Sequence, residues 1–332
     1  MGKIDIQTNE YMSDIYRFAD LFNFFLYEGK QVIKPESLHE LSETALALPY
    51  GDERGSSNPI QKYRDVFKMA AMEDGRAAYL LLGLEDQSEV HYAISVKNML
   101  YDAAQYAKQV EDAASTHRKE AKAAAQSGVV SDKKKVSSAE FLSGFHKDDR
   151  LLPVVTLVLH WSPDEWDGAK SIHEMFMVED ETLLRFVPDY RINLLSPKDI
   201  ADHDFGKFQT TLAEALQYIK YSKEKDSLER IINENPKFKH LDRRTAEVIN
   251  IVTGSNLVFK EGEQEVNMCV AITQMREESR AEGRAEGRAE GVELGILETI
   301  KNIMASLKVT KERAMEIAGV PDNLRESYLK KI

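Results

Sequence analysis

Along the chain the spacing of hydrophobic positions changes several times, and each change predicts an element. Phe18, Leu21, Phe22, Phe25 and Leu26 recur at helical spacing, which predicts a helix from Ser13 to about Tyr27 that Gly29 stops. An extended stretch punctuated by Pro and Gly runs to Pro59. Tyr63–Met72 reads as a strand, favoured by Val66 and Phe67, and Glu73-Asp74-Gly75-Arg76 reads as a turn. The run from Ala77 to Leu84 is apolar on both parities, the pattern of a central strand covered on both faces. From Val90 to about Ala125 a helical pattern returns, with Ile94, Leu100, Tyr101 and Ala104 on its apolar stripe. Ser127–Ser138 reads as a flexible connection, and Pro153–His160, rich in β-branched residues, as a third strand. Beyond about Leu195 the pattern is helical. The chain therefore divides into a small mixed α/β core over residues 1–195, a helical extension over 196–260 and a charged helical tail over 261–332.

The tail holds a repeat, Arg-Ala-Glu-Gly three times over residues 280–291. At four-residue spacing each residue type drifts about 40° per repeat, so the arginines form one slow stripe and the glutamates another nearly opposite. Each glycine costs about 1 kcal/mol relative to alanine, so an isolated helix here should be weak. Val292–Leu307 regains an amphipathic pattern, and Thr310–Ala318 is a short helix stopped by Gly319 and Pro321. Two readings stay open: a solvated connector with a helical cap, or a self-association module in which charge stripes pair between chains to form a homo-oligomer.

Composition narrows the classes. The chain has 332 residues with 44 Lys+Arg against 56 Asp+Glu, a formal net charge of −12, which argues against loose charge-driven coating of DNA or anionic membranes. One cysteine, Cys269, excludes an internal disulfide and a thiolate zinc cluster and fits a reducing cytoplasm. No apolar run approaches the ~20 residues that cross a bilayer, so no membrane role is expected. No His-Glu-x-x-His, Gly-x-Gly-x-x-Gly, P-loop or Gly-x-Ser-x-Gly pattern is present, which leaves zinc-protease, dinucleotide, ATP and serine-hydrolase chemistry without support. Trp161 and Trp166 are expected to pack beneath a turn.

The spacing that carries chemistry is Asp65, a hairpin, then Glu85-Asp86-Gln87. In a strand Glu85 and Gln87 share a face while Asp86 points away. A carboxylate thus emerges where apolar cover ends, and the neighbouring strand can bring Asp65 beside it. Such a set suits Mg²⁺, a hard ion that takes one or two carboxylates and fills its other positions with water and phosphate. Register decides. A two-residue turn pairs Asp65 with Leu84 and puts it on the wrong face, whereas a three-residue turn, Asp74-Gly75-Arg76, pairs Asp65 with Glu85. The longer turn or a bulge is therefore predicted. The competing reading is a pair of solvated acids near a strand end.

Tyr63-Arg64-Asp65-Val66, Leu82-Gly83-Leu84-Glu85-Asp86-Gln87-Ser88 and Leu152–Leu159 resemble the Rpn family of recombination-promoting nucleases and transposase-like proteins, within the PD-(D/E)XK nuclease superfamily. The resemblance extends to Phe18–Asn23, Trp166-Asp167-Gly168 and the tail, nearly the whole chain. It implies a restriction-endonuclease-like core, a mixed sheet flanked by helices, and a metal-dependent endodeoxyribonuclease using Mg²⁺ or Mn²⁺. Asp65 and Glu85 are then the metal-binding acids, and Gln87 takes the place of the superfamily's usual lysine. Asp20 matches an acidic position in the first helix as a further candidate ligand, against the alternative of a helix-surface aspartate. The family's aspartate six residues after the glutamate, arginine at twelve and tyrosine at sixteen fall on His91, Lys97 and Tyr101. The first departs, the second keeps charge but loses the bidentate fork, and the third matches.

For DNA contacts the candidates are Lys97, Tyr101, Lys108, Arg118, Lys119 and Lys122, with Lys133–Lys135 as either a further contact or a solvated loop. Residues 101–150 hold nine Lys+Arg and eight Asp+Glu, the one stretch of this size in the first half that is not net acidic. A dimer would suit cutting both strands with one metal site per chain. The departures and the acidic charge motivate an alternative: a nuclease fold with little or no activity that acts as a DNA-binding or oligomeric assembly factor.

Overall fold

The computed structural model describes residues 3–40, 66–72, 78–127, 136–260 and 262–332. Two compact units emerge: residues 1–256 with 261–268, and residues 257–260 with 269–332.

The first unit opens with α1 (Lys3–Met12), a helix whose mostly polar sequence carries little periodic signal. It is followed by α2 (Ile15–Tyr27), which starts two residues later than the periodicity predicts because Asp14 caps it, accepting from the N–H groups of Tyr16 and Arg17, both at 3.1 Å. At its end Glu28 adopts a left-handed conformation and Gly29 follows at φ +86°. A Cβ at Gly29 would stand 2.7 Å from Lys207 Cβ, so glycine is required by both backbone and contact. Phe18, Leu21 and Phe22 are fully buried, each worth about 1.5–3 kcal/mol of apolar transfer.

A five-stranded sheet runs in the order β1 (Leu38–Glu40), β2 (Val66–Met72), β3 (Ala78–Gln87), β4 (Val154–His160) and β5 (Asn193–Leu195). The pairs β1/β2 and β2/β3 are antiparallel and the pairs β3/β4 and β4/β5 parallel, so the sheet is mixed and the chain is α/β. The crossover from β3 to β4 carries α3 (Ile94–Ser127) and the short α4 (Ser138–Ser143). Residues 156–160 are buried at every position, as a strand covered on both faces must be.

On one face Leu82, Leu84, Leu157 and Leu159 share a core with Phe18, Leu21 and Phe22 of α2. After a single turn of helix, α5 (Glu181–Leu184), come α6 (Leu212–Tyr221), α7 (Lys225–Glu234) and α8 (Arg243–Thr253), and α6 adds Leu212, Leu216 and Ile219 to that core. On the other face Val158 packs with Ile94 of α3 and with Trp166. Trp161, in the first core, and Trp166 are both buried, as expected. The two-residue strands β6 (Leu241–Asp242) and β7 (Glu265–Val266) pair antiparallel. They and β5 are too short for any periodic signal.

The second unit is α9 (Met268–Leu307), α10 (Lys311–Ile317) and α11 (Asp322–Leu329). The helix runs unbroken through the glycine repeat, because alanine, arginine and glutamate are strong helix formers around each glycine. Ile300, Ala314, Met315, Val320 and Tyr328 close a small core, and Thr310 caps α10 through Arg313 N–H. Among the described residues no helix is long and apolar enough to cross a membrane.

Candidate active site

The β2/β3 ladder pairs Val66 with Leu84 and continues without a break to Met72 with Ala78. A two-residue turn would have set Val66 against Gly83; the register found is that of the longer turn. Asp65 and the turn itself, residues 73–77, lie outside the described residues, as do Lys133–Lys135. Glu85 is described by its backbone alone, paired with Val158 of β4.

The next positions are resolved in full. Asp86 turns to the core side with Leu82 and Leu84, as alternation predicts, and accepts from Trp161 Nε1 at 2.7 Å. Gln87 is half-buried, its carbonyl accepts from Trp161 N–H at 2.8 Å, and its Nε2 donates to the Asp86 carbonyl at 3.0 Å. Gln87 opens on a cleft of about 590 Å³, lined also by Lys3, Asp5, Ser88, His91 and Lys97. The cleft sits at the carboxyl end of a parallel strand, where backbone geometry leaves room for ligands. Ser88 Oγ donates to Asp5 at 2.8 Å across it.

Both departures from the family pattern fall here. His91 is exposed, accepting from Ala93 N–H at 3.3 Å just ahead of α3. Lys97 holds its ammonium 5.7 Å from the ring centroid of Tyr101, a cation–π distance. Tyr101 is itself buried, so it is a platform for Lys97. The other basic candidates are not gathered at the cleft. Lys108 is half-buried and Arg118, Lys119 and Lys122 are exposed farther along α3, spread over about 40 Å from Lys97 at 1.5 Å per residue.

Asp20 requires a correction. It is no surface aspartate: it is 2% exposed, and its oxygens accept from Gln209 N–H at 2.9 and 3.0 Å, Thr210 N–H at 2.7 Å and Thr210 Oγ1 at 2.6 Å. The carboxylate satisfies donors just ahead of α6, and these bonds occupy it structurally. Among the described residues no three His, Cys, Asp or Glu side chains are arranged to hold a metal ion.

On α3 the predicted apolar stripe is buried at Ile94, Tyr101 and Ala104, but the helix also buries polar residues that its hydrophobic pattern does not mark. Leu100, placed on the apolar stripe, is only half-buried, whereas Ser95, Asn98, Asp102 and Gln105 are buried. Asp102 accepts from Thr156 Oγ1 and from Tyr190 OH, each at 2.6 Å. Asn98 is 0% exposed, and neither atom of its amide has a hydrogen-bond partner among the described residues. The usable signal was the spacing of 95, 98, 102 and 105, which is a helix face written in polar residues. His160, paired in register with Gln87, is buried with its ring edge-on to Trp166 at 5.2 Å. Burial pushes its pKa below the usual 6.5 against the raising influence of Asp164, Asp199 and Asp167, and its Nδ1 has no partner among the described residues.

Compared with known proteins, the chain matches no family model, no curated protein and no solved structure.

Proposed function

We propose that the chain is a Mg²⁺-dependent DNA endonuclease with a PD-(D/E)XK-like core, akin to the Rpn recombination-promoting nucleases and acting in recombination or mobile-element DNA metabolism. The observation that carries this reading is the hairpin register: Val66 opposite Leu84 is the pairing that a facing Asp65 and Glu85 require. A mixed sheet flanked by helices and a cleft at Gln87 support it further.

The donor chemistry around the cleft fits a hard divalent ion. Gln87 offers an amide oxygen at the cleft, and the amide of Asn98, buried one residue beyond Lys97, has no partner among the described residues. Asp65 and Glu85 would hold the ion. When bound, Mg²⁺, or Mn²⁺ in its place, supplies a Lewis acid for the scissile phosphate and lowers the pKa of a coordinated water. Gln87 has no titrating proton, so it orients the attacking water or donates to a phosphate oxygen, and the proton lost passes to solvent or to a substrate phosphate. Lys97 places positive charge at the cleft, and Lys108, Arg118, Lys119 and Lys122 meet backbone phosphates along α3.

A plasmid-nicking assay with and without Mg²⁺, on wild type and Glu85→Ala side by side, tests this. Nicking should need Mg²⁺ and disappear in Glu85→Ala while its thermal unfolding stays that of wild type. A gel shift that survives EDTA, with no cleavage under any condition, would replace the enzyme with a DNA-binding or assembly factor.

A further inference from the structure

Helix α3 runs antiparallel to β4, and its contacts can be read off in order. Ile94 packs on Val158, Asp102 bonds Thr156, Tyr106 OH accepts from Val154 N–H at 3.1 Å, and Gln109 accepts from Leu152 N–H at 2.6 Å. Asn98 lies on the same face, four residues from Ile94 and four from Asp102, and so at the level between Val158 and Thr156. The residues of β3 paired with those two are Glu85 and Gly83. Asn98 therefore stands over the sheet at a level between Gly83 and Glu85, and its neighbour Lys97 lines the cleft that holds Gln87.

A buried amide without partners is costly, since it has given up its bonds to water. The other polar residues on this face have answered that cost: Ser95 Oγ reaches the Ala169 carbonyl at 3.4 Å, and Asp102 accepts two hydroxyls. Asn98 alone among these three keeps both a hard oxygen and an N–H donor unused. We infer that Asn98 is a positioning residue of the divalent-cation site proposed above, its amide engaging the ion's water shell. This rests on the metal-dependent reading above and adds to it a residue from the crossover helix. An amide suits the task because it accepts from a coordinated water and donates to an acceptor without adding charge next to the carboxylates.

The test measures binding of Mn²⁺ alone to the full-length protein by electron paramagnetic resonance, with thermal unfolding of the metal-free protein alongside. Asn98→Leu removes the orphan amide at similar volume. It should leave the metal-free protein as stable as wild type or more so, yet weaken Mn²⁺ binding about tenfold or more. A merely structural asparagine would not produce that opposition. Mn²⁺ affinity unchanged in Asn98→Leu, with Glu85→Ala binding abolished, overturns the role of Asn98 and leaves the nuclease reading intact. Wild type that binds no Mn²⁺, or binds it equally after Glu85→Ala, overturns both. If Asn98→Leu does not fold, Asn98→Asp decides. Tighter Mn²⁺ binding with a less stable metal-free protein supports the role, and unchanged binding overturns it.

Discussion

Two polar regions of the first unit differ in how completely their groups are answered. Around the half-buried Asp242 the bonding is dense, although Arg17 Nε has no partner among the described residues. Its carboxylate caps α8 at Thr245 N–H and accepts from Thr211 Oγ1 at 2.5 Å, Thr245 Oγ1 at 2.6 Å and Arg17 Nη2 at 2.9 Å, while Tyr11 OH reaches Thr245 at 2.9 Å. Asp20 is bonded as fully. Across the sheet, the face under α3 leaves the amide of Asn98, the Nδ1 of His160 and the Nε1 of Trp166 without partners among the described residues. Since an unanswered buried polar group is destabilising, the first pattern belongs to holding helices together, and the second holds the amide inferred above to contact an ion's water shell.

That contrast can be broken most forcefully at Asp20. Asp20→Ala strands Gln209 N–H, Thr210 N–H and Thr210 Oγ1 in a buried site and should destabilise the protein by about 3 kcal/mol or more in urea unfolding. A loss below about 1 kcal/mol would show that these bonds are not structural.

Acid separates the two regions by window. Burial works to raise the Asp242 pKa, but the bonds from Thr211 and Thr245 and the nearby Arg17 outweigh it and hold it below the usual value. Its stabilisation is present above about pH 4 and is lost as pH falls through the lower folded value. The His160 pKa is also depressed, so the unfolded chain takes up protons that the fold refuses, and stability starts to fall once pH drops below about 6.5. Stability measured against pH should therefore decline in two steps, the milder one removed by His160→Asn and the more acid one by Asp242→Asn. A single step that survives both substitutions would count against the assignment.

The smallest effect lies in the repeat. Gly287 has nothing within 4 Å of where a Cβ would be, so Gly287→Ala should add helicity and up to about 1 kcal/mol to α9 by circular dichroism and melting. If the chain self-associates along that helix, sedimentation of the same variant shows whether the added methyl weakens pairing.

What could be read from sequence follows from where apolar residues carry the pattern. Helix α2 and strands β3 and β4 were legible because Phe18, Phe22, Leu82, Leu84 and Leu157–Leu159 carry the apolar pattern, whereas the hairpin register followed from requiring Asp65 to face Glu85. On α3 only Ile94, Tyr101 and Ala104 were legible, because Ser95, Asn98, Asp102 and Gln105 are buried without hydrophobic signal. Nor could local sequence reveal Asp20, whose partners lie 189 and 190 residues away.

That separation sets a schedule for synthesis. The carboxylate in the second helix cannot meet its donors until residue 210 has been made. At roughly 5–20 residues per second the wait is roughly 10–40 s. Until then Asp20 must stay hydrated, and the aromatic face beside it stays uncovered by α6, so a chaperone that shields phenylalanines has that interval in which to act on α2.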